Sequence, residues 1–304
     1  MRKVIDLECD LPPDEHGKPR KFGTETLSPG FGDPERLDPL PGYGFENYER
    51  IFPHRRAEGA SAGRSAPKGA SLVDFVKSMD EAGVVTGVVG RVPNRLLAEI
   101  VRAHPGRFIG MASISPFDGM RGVREFEYVV RELGLGGLRI AALFNMVPAS
   151  DRRFYPLYAK CVELDVPVRI YASMNYANDR PYDLGHPRHI DQVAMDFPEL
   201  RIIAGLSGWP WIADMVGLLR RHPNLHCDTA AHHPRYFAVK GSGWEQFLQF
   251  GNTLLQDKVM VALSLGTVGL PYKDAITAYE ALPLKDPVIE KWLYGNARRF
   301  FRLD

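Results

Sequence analysis

Eight short runs of apolar residues recur along the chain, and a stretch with helical spacing follows each of them. The runs cover residues 3–8, 84–90, 107–113, 136–142, 167–172, 200–206, 224–229 and 258–264. Near-continuous apolar runs of this length are typical of parallel strands that are buried on both faces, with helices between them. Eight such units favour a (β/α)8 TIM barrel over a doubly wound sheet. The pattern therefore predicts an α/β protein with a single barrel domain over residues 1–304.

Glycine and proline residues mark the ends of several intervening helices. The stretch over residues 71–79 keeps an apolar stripe and ends at Gly83, and the stretch over residues 121–133 ends at Gly134. Another helical stretch stops at Pro198. Glycine just beyond a helix and proline shortly after it are common C-terminal signals. These signals separate the predicted strands and support the repeated β/α pattern.

The longest interruption lies between the first strand and the helix that begins near Ser71. Residues 11–70 are rich in proline, glycine and charge, and they include several aromatic residues. Structureless segments of this length in compact domains are usually lids, binding loops or disordered insertions. Because this one follows a strand, we expect it at the C-terminal face of the barrel, where the active sites of such barrels lie. We predict a lid or a dimer arm in preference to disorder.

The composition is that of an ordinary globular protein, with 45% hydrophobic residues and a formal net charge of +1. So small a charge, without long blocks of one sign, predicts no nucleic-acid partner. No apolar run is long enough for a transmembrane helix and no signal-peptide core follows Met1, so we expect no membrane partner and a cytoplasmic location. Cys9, Cys161 and Cys227 have no metal-type spacing and are expected to be reduced thiols.

Five short motifs, in order along the chain, resemble those of the amidohydrolase-related decarboxylases and hydratases. They are residues 79–84 (MDEAGV), 104–108 (HPGRF), 137–139 (GLR), 197–200 (FPEL) and 295–301 (GNARRFF). The family includes aminocarboxymuconate semialdehyde decarboxylase and resorcylate decarboxylases. The resemblance covers most of residues 1–8 and 72–301. It implies the barrel fold, a small carboxylated or aromatic substrate, and a homodimer.

The positions that hold the metal ion in this family carry other residues here. Where the relatives have an Asp-x-His-x-His or Glu-x-His signature after the first strand, this chain reads DLECD over residues 6–10. Tyr171, Leu206 and Gly266 stand where the resemblance places two histidines and an aspartate. Zinc needs three or four close N, S or O ligands. We therefore predict no metal ligands and no cofactor.

Glu8 and Asp10 are the first candidates for catalytic residues. Strand alternation sends both to the same side, and two close carboxylates raise the pKa for one proton, so that one acts as acid and the other as base. The alternatives are a hard divalent cation held by these two residues, and a purely structural role. From the seventh strand and its loop we add Asp228, in an Asp-Thr segment similar to one in the relatives, and His233 as general acid or base.

Five further residues are candidates for substrate binding. Arg139, at the end of the fourth strand, can neutralise a substrate carboxylate through two hydrogen bonds, although it could instead pair with Glu8 or Asp10. Tyr171 could donate its hydroxyl to a substrate oxygen or fill the space that the metal leaves. Loop residues that offer polar groups and aromatic walls complete the set, namely Asn175, His232 and Trp209.

These residues favour lyase chemistry without a metal ion. Decarboxylation, hydration or dehydration moves a proton to or from carbon and needs a group that holds charge. The predicted function is therefore a metal-independent lyase for a small carboxylated, possibly aromatic, substrate. Two alternatives remain open: a hydrolase of an activated ester, lactone or thioester, and an inactive barrel that binds a ligand or a partner.

Overall fold

The computed structural model describes residues 2–12, 47 and 71–303, and at its centre is a sheet of eight parallel strands in chain order. Leu7 donates a backbone hydrogen bond of 3.0 Å to Val261, which joins the first strand to the segment after the last. The predicted (β/α)8 barrel is confirmed. The strands are β1 Val4–Asp6, β2 Val84–Val89, β3 Phe108–Ser113, β4 Gly137–Ile140, β5 Val168–Tyr171, β6 Ile202–Gly205, β7 Leu225–Asp228 and β8 Val259–Met260.

Helices connect the strands, and the three predicted to end near Gly83, Gly134 and Pro198 are present as α1, α3 and α6. In the described part of the chain the α-helices are α1 Leu72–Ala82, α2 Asn94–Ala103, α3 Gly119–Arg131, α4 Ala142–Asn145, α5 Tyr155–Glu163, α6 Pro187–Asp196, α7 Ile212–Arg221, α8 Glu245–Gly251, α9 Leu265–Val268, α10 Tyr272–Glu280, α11 Asp286–Glu290 and α12 Asn296–Phe301. None of the described helices is both long and apolar enough to cross a membrane.

Local sequence explains how α1 begins and ends. The Ser71 hydroxyl accepts from the backbone N–H of Asp74, and the Asp74 carboxylate accepts from the backbone N–H of Ser71. This reciprocal capping box satisfies two backbone donors at the start of the helix. Gly83 ends the helix with a φ of 78°, a left-handed conformation that costs glycine little.

Apolar side chains fill the barrel and the space between strands and helices. Ile5, Met111, Ile203 and Met260 form an inner cluster against Phe300 of α12. A larger cluster packs the helices on the outside of the sheet. The polar groups at the carboxyl ends of the strands are therefore held by a packed barrel, as the pattern of apolar runs predicts.

The segment after β1 departs from the predicted strand. β1 ends at Asp6, not at residue 8, because an Asp6 carboxylate oxygen accepts from the backbone N–H of Glu8 at 3.1 Å and turns the chain. The lid or dimer arm predicted over residues 11–70 lies outside the described residues, apart from 11, 12 and 47. Asn47 donates a hydrogen bond of 2.7 Å to the carbonyl of Tyr176.

Candidate active site

The carboxyl ends of the strands surround a small, partly open pocket. Its charged and polar lining residues are Glu8, Arg91, Arg139, Arg169, Tyr171, Ser264 and Thr267. Active sites of TIM barrels lie at this face, and a pocket where a few polar groups converge is the default binding site.

Glu8 meets two guanidinium groups in this pocket. Arg139 donates to both oxygens of its carboxylate, at 2.7 and 2.9 Å. Nη1 of Arg169 lies 2.8 Å from one of the same oxygens. The side chains of Glu8 and Arg139 remain 17% and 11% exposed, so this ion pair opens onto the pocket. Of the alternatives for Arg139, the structure shows the pair with Glu8.

Arg169 also pairs with Asp228, and both residues are fully buried. Nε and Nη2 of Arg169 donate to the two Asp228 oxygens at 2.6 and 3.1 Å. Asp228 accepts two further backbone hydrogen bonds, from Leu206 and Ala230, each of 3.0 Å. Burial alone would lower the pKa of Arg169, but Asp228 and Glu8 raise it above its usual value. The structure thus places Asp228 as the partner of Arg169.

Two glycines leave room for the arginine side chains. A Cβ atom at Gly90, after β2, would lie 2.6 Å from Cδ of Arg139. A Cβ atom at Gly205, the last residue of β6, would lie 3.1 Å from Cζ of Arg169. Because real Cβ atoms do not approach to 2.6 Å, Gly90 is needed for the observed position of Arg139.

Left-handed backbone conformations concentrate at the pocket. Arg91, Leu206, Ala231 and Ser264 line it with φ values of 61°, 67°, 65° and 47°. Such angles are uncommon for residues other than glycine, and strained backbone is typical of functional sites. The strain supports a functional role for this face of the barrel.

Asp6 is a fully buried carboxyl group next to this site. One of its oxygens accepts from the backbone N–H groups of Glu8 and Leu263, at 3.1 and 2.7 Å. The other oxygen has no hydrogen-bond partner in the described residues. Burial raises the pKa of Asp6 to about 7, although the two backbone hydrogen bonds oppose the rise.

The structure does not bring Asp10 into the pocket with Glu8. Because β1 ends at Asp6, strand alternation does not extend to residue 10. A carboxylate oxygen of Asp10 accepts from the backbone N–H of Gly266 at 3.0 Å. The predicted acid/base pair therefore has one member in the pocket and the other against the helical turn α9, which follows β8.

The two adjacent histidines have different surroundings, and neither is among the described residues that line the pocket. Nδ1 of His233 accepts from the backbone N–H of Arg235 at 3.1 Å and caps a single turn of 3-10 helix. The His232 ring packs against Trp209 and Trp244, with ring centres 5.8 and 5.0 Å away. Burial lowers the pKa of His232 to about 4, which favours its neutral form.

The remaining predicted binding residues are divided between two places. Tyr171 lines the pocket, and its hydroxyl donates to the carbonyl of Met174 at 2.7 Å. Asn175 lines a separate surface groove in the β5–α6 loop. Trp209 stacks on Tyr176 with ring centres 6.2 Å apart. Tyr171 and Arg139 are thus the predicted binding residues that the structure places in the pocket.

Sequence reasoning missed Arg169, Arg91 and Asp6. An arginine inside the buried strand β5 is a signal by itself, because a charge in such a strand needs a partner. Asp228, at the end of the seventh strand, was one of several possible partners. Arg91 lies two residues after the end of β2, at the face of the barrel where site residues are found.

Comparison with known proteins identifies relatives with lyase activities. The chain is 28% identical over 247 residues to 2-keto-4-carboxy-3-hexenedioate hydratase of Sphingobium sp. (strain NBRC 103272 / SYK-6), covering 69% of this chain and 71% of the relative. It is 29% identical over 87 residues to 2-amino-3-carboxymuconate-6-semialdehyde decarboxylase of Dictyostelium discoideum, covering 29% of this chain and 24% of the relative. These relatives confirm the prediction of a lyase.

Solved structures support the barrel fold. An uncharacterised TIM-barrel protein from Bordetella bronchiseptica superposes with a TM-score of 0.71, at 24% identity, over 99% of this chain and 98% of that chain. 5-Carboxyvanillate decarboxylase from Novosphingobium aromaticivorans, complexed with manganese, superposes with a TM-score of 0.61 at 17% identity, over 99% of this chain and 96% of the other.

The described residues do not fit a manganese ion in this pocket. They include no group of three His, Cys, Asp or Glu side chains that could hold a metal. Both oxygens of Glu8 accept from guanidinium groups, and Leu206 and Gly266 offer no side-chain donor atoms. A divalent cation would also lie close to the positive charges of Arg139 and Arg169.

The family assignment rests on the sequence as well as on the fold. The sequence profile described as Amidohydrolase matches residues 46–303, which is most of the chain. The ordered motifs, the eight-stranded barrel and the two lyase relatives agree with this match. The chain belongs to the amidohydrolase family.

Proposed function

We propose that the protein is a metal-independent lyase that decarboxylates, hydrates or dehydrates a small carboxylated substrate, aromatic or not. One observation carries this proposal: the Glu8 carboxylate lies at the pocket of a barrel, held by Arg139 and Arg169. The pocket thereby combines a proton-accepting group with fixed positive charge. The lyase relatives support the reaction class.

Arg139 is the proposed binding residue for the substrate carboxylate. A guanidinium group has five N–H donors, and the two hydrogen bonds to Glu8 engage one on each terminal nitrogen. The remaining donors can bind an anionic oxygen, as arginine commonly does. Tyr171 forms part of the wall, with its hydroxyl oriented by the Met174 carbonyl.

Glu8 is the proposed acid/base residue. In decarboxylation the C–C bond breaks, CO₂ leaves, and the electron pair that remains on carbon takes a proton. In hydration a base takes a proton from water while the oxygen attacks one alkene carbon, and the other carbon takes a proton. In decarboxylation Glu8 can relay a proton from water to that carbon, and the hydroxide that remains combines with CO₂ as bicarbonate. In hydration it can relay the proton of the attacking water to the other alkene carbon. The guanidinium groups stabilise the negative charge that develops on the substrate.

Asp10, Asp228, His232 and His233 receive other roles in this proposal. Asp10 orients the helical turn α9, and Asp228 holds Arg169. His233 caps a helical turn and His232 packs between tryptophans. Asn175 and Trp209 are proposed to shape the entrance.

An inactive barrel that binds a carboxylated ligand is the second candidate. The observation that favours it is the mutual pairing of Glu8 and Arg139, which engages both groups before any substrate arrives. Both candidates share the binding site, so turnover distinguishes them.

The test is a panel of substrates with metal-free protein. We propose 5-carboxyvanillate, 2,6-dihydroxybenzoate and 2-keto-4-carboxy-3-hexenedioate as probes, because these compounds appear in the names of related enzymes. Turnover of one probe that is lost in Glu8→Gln, but kept in the exposed control Glu132→Gln, supports the lyase. Binding of a probe without turnover supports the second candidate.

We also propose a homodimer in the cytoplasm with reduced cysteines. The three cysteines are buried and form no disulfide, which agrees with reduced thiols. Light scattering of the purified protein tests the dimer, and a monomeric mass contradicts it.

A further inference from the structure

Arg169 connects two carboxylates that come from different parts of the barrel. It lies on β5, whereas Glu8 follows β1 and Asp228 ends β7. Each of its three guanidinium nitrogens has a carboxylate oxygen within 3.1 Å. The group is therefore fixed in position and orientation from both sides.

The burial of these charges needs an explanation beyond stability. Arg169 is 1% exposed and Asp228 is fully buried. Replacing a buried ion pair with apolar residues is often neutral or stabilising, so such a pair is weak evidence for stability. Arg169 also lines the pocket, and Gly205 leaves the space that its guanidinium occupies. A functional role explains why a charge is kept in this place.

We propose that the Arg169 guanidinium takes the place of the family's metal ion as the fixed cation of the active site. It positions the Glu8 carboxylate and presents positive charge to the pocket, two tasks that a bound metal ion performs in other enzymes. Arginine is suited to this role because it stays charged when buried and binds carboxylates through a planar fork.

The first experiment separates this role from structural support. Arg169→Met leaves Asp228 buried without its cation, so we expect the melting temperature to fall by about 5–15 °C. The double variant Arg169→Met/Asp228→Asn removes both charges and keeps an acceptor for the two backbone N–H groups. We expect it to recover at least half of the lost melting temperature.

Turnover of the double variant is the decisive readout. If Arg169 is the site's cation, kcat falls by about 10²–10³-fold while KM, which Arg139 controls, stays within a few fold. A double variant with nearly wild-type kcat would overturn the proposal, because it would show that Arg169 is merely structural. This readout rests on the proposed function and needs a substrate from the panel.

A second experiment needs no substrate. Arg169→Ala leaves a space that ethylguanidinium chloride can fill, so this probe should raise the variant's melting temperature. Ethylammonium chloride, which lacks the planar fork, should raise it less. Leu219→Ala, which opens a cavity among apolar side chains against α7, is the matched control and should not respond. An equal response of both variants would contradict a specific cation site. Because this experiment measures no turnover, its outcome is independent of whether the proposed lyase activity is found.

Discussion

Substitution of Asp6 by asparagine tests the electrostatics of the site's interior. Asparagine keeps an oxygen that can accept from the backbone N–H groups of Glu8 and Leu263. Its amide group replaces the oxygen that has no hydrogen-bond partner in the described residues. The variant therefore resembles the protonated acid and removes the titration.

The magnitude follows from the pKa of Asp6, which burial raises from 3.8 to about 7. Folded protein keeps the proton up to about pH 7, whereas unfolded chain releases it near pH 4. The stabilising contribution is therefore complete below pH 4 and is lost as the pH rises through 7. A difference of about 3 pKa units corresponds to about 4 kcal/mol, of which about 3 kcal/mol is lost above pH 5.

The assay compares melting temperatures of the variant and the wild type at about pH 5 and about pH 8.5. We expect the difference in melting temperature, variant minus wild type, to rise by about 5–10 °C from the lower to the higher pH. Other titrating groups are common to both proteins and cancel in the comparison. Asp274→Asn, an exposed carboxylate on α10, is the control. A wild-type-minus-variant difference that stays constant with pH would refute the reasoning.

Three further predictions concern the pocket and the barrel. Gly90→Ala displaces Arg139, because the added Cβ would lie 2.6 Å from the Arg139 side chain. We therefore expect KM for a probe to rise about tenfold or more. The control is Gly217→Ala on α7, whose added Cβ meets no atom within 4 Å and which should bind the probe like the wild type. Burial lowers the pKa of His226 to about 3, so stability falls as the pH drops below about 6.5. The melting temperature of His226→Phe should therefore fall less than that of the wild type between about pH 7 and pH 4.5. An equal fall in the two proteins would contradict this. Tyr171→Phe removes the donor to a loop carbonyl and should cost about 1 kcal/mol in denaturant unfolding, whereas no loss would show that water replaces the hydroxyl.

The barrel was predictable because parallel strands buried on both faces leave an apolar run in the sequence. All eight strands lie within the predicted runs, and residues at their carboxyl ends must meet at one face. Arg139 could be placed in the site on this ground alone. The same reasoning failed for Asp10, because the hydrogen bond from the Glu8 N–H to Asp6 ends β1 early.

The pairing of charges was not predictable in the same way. Arg169 and Asp228 are 59 residues apart, and the distance between them depends on how β5 and β7 pack around the barrel. His233 seemed suited to proton transfer by its residue type, but the structure uses its ring nitrogen to cap a turn. Local hydrogen bonds of this kind follow from loop conformation, which apolar patterning does not encode.

We propose that fixed arginine charge, not a bound metal ion, supports catalysis in this pocket. The most direct test measures turnover of the substrate panel by protein whose metal content elemental analysis shows to be far below one ion per chain. The account predicts turnover that added Mn²⁺ does not increase and that Glu8→Gln abolishes. Turnover that appears only with about one Mn²⁺ or Zn²⁺ per chain, and that is lost when Glu8 and Asp10 are both replaced, would contradict it.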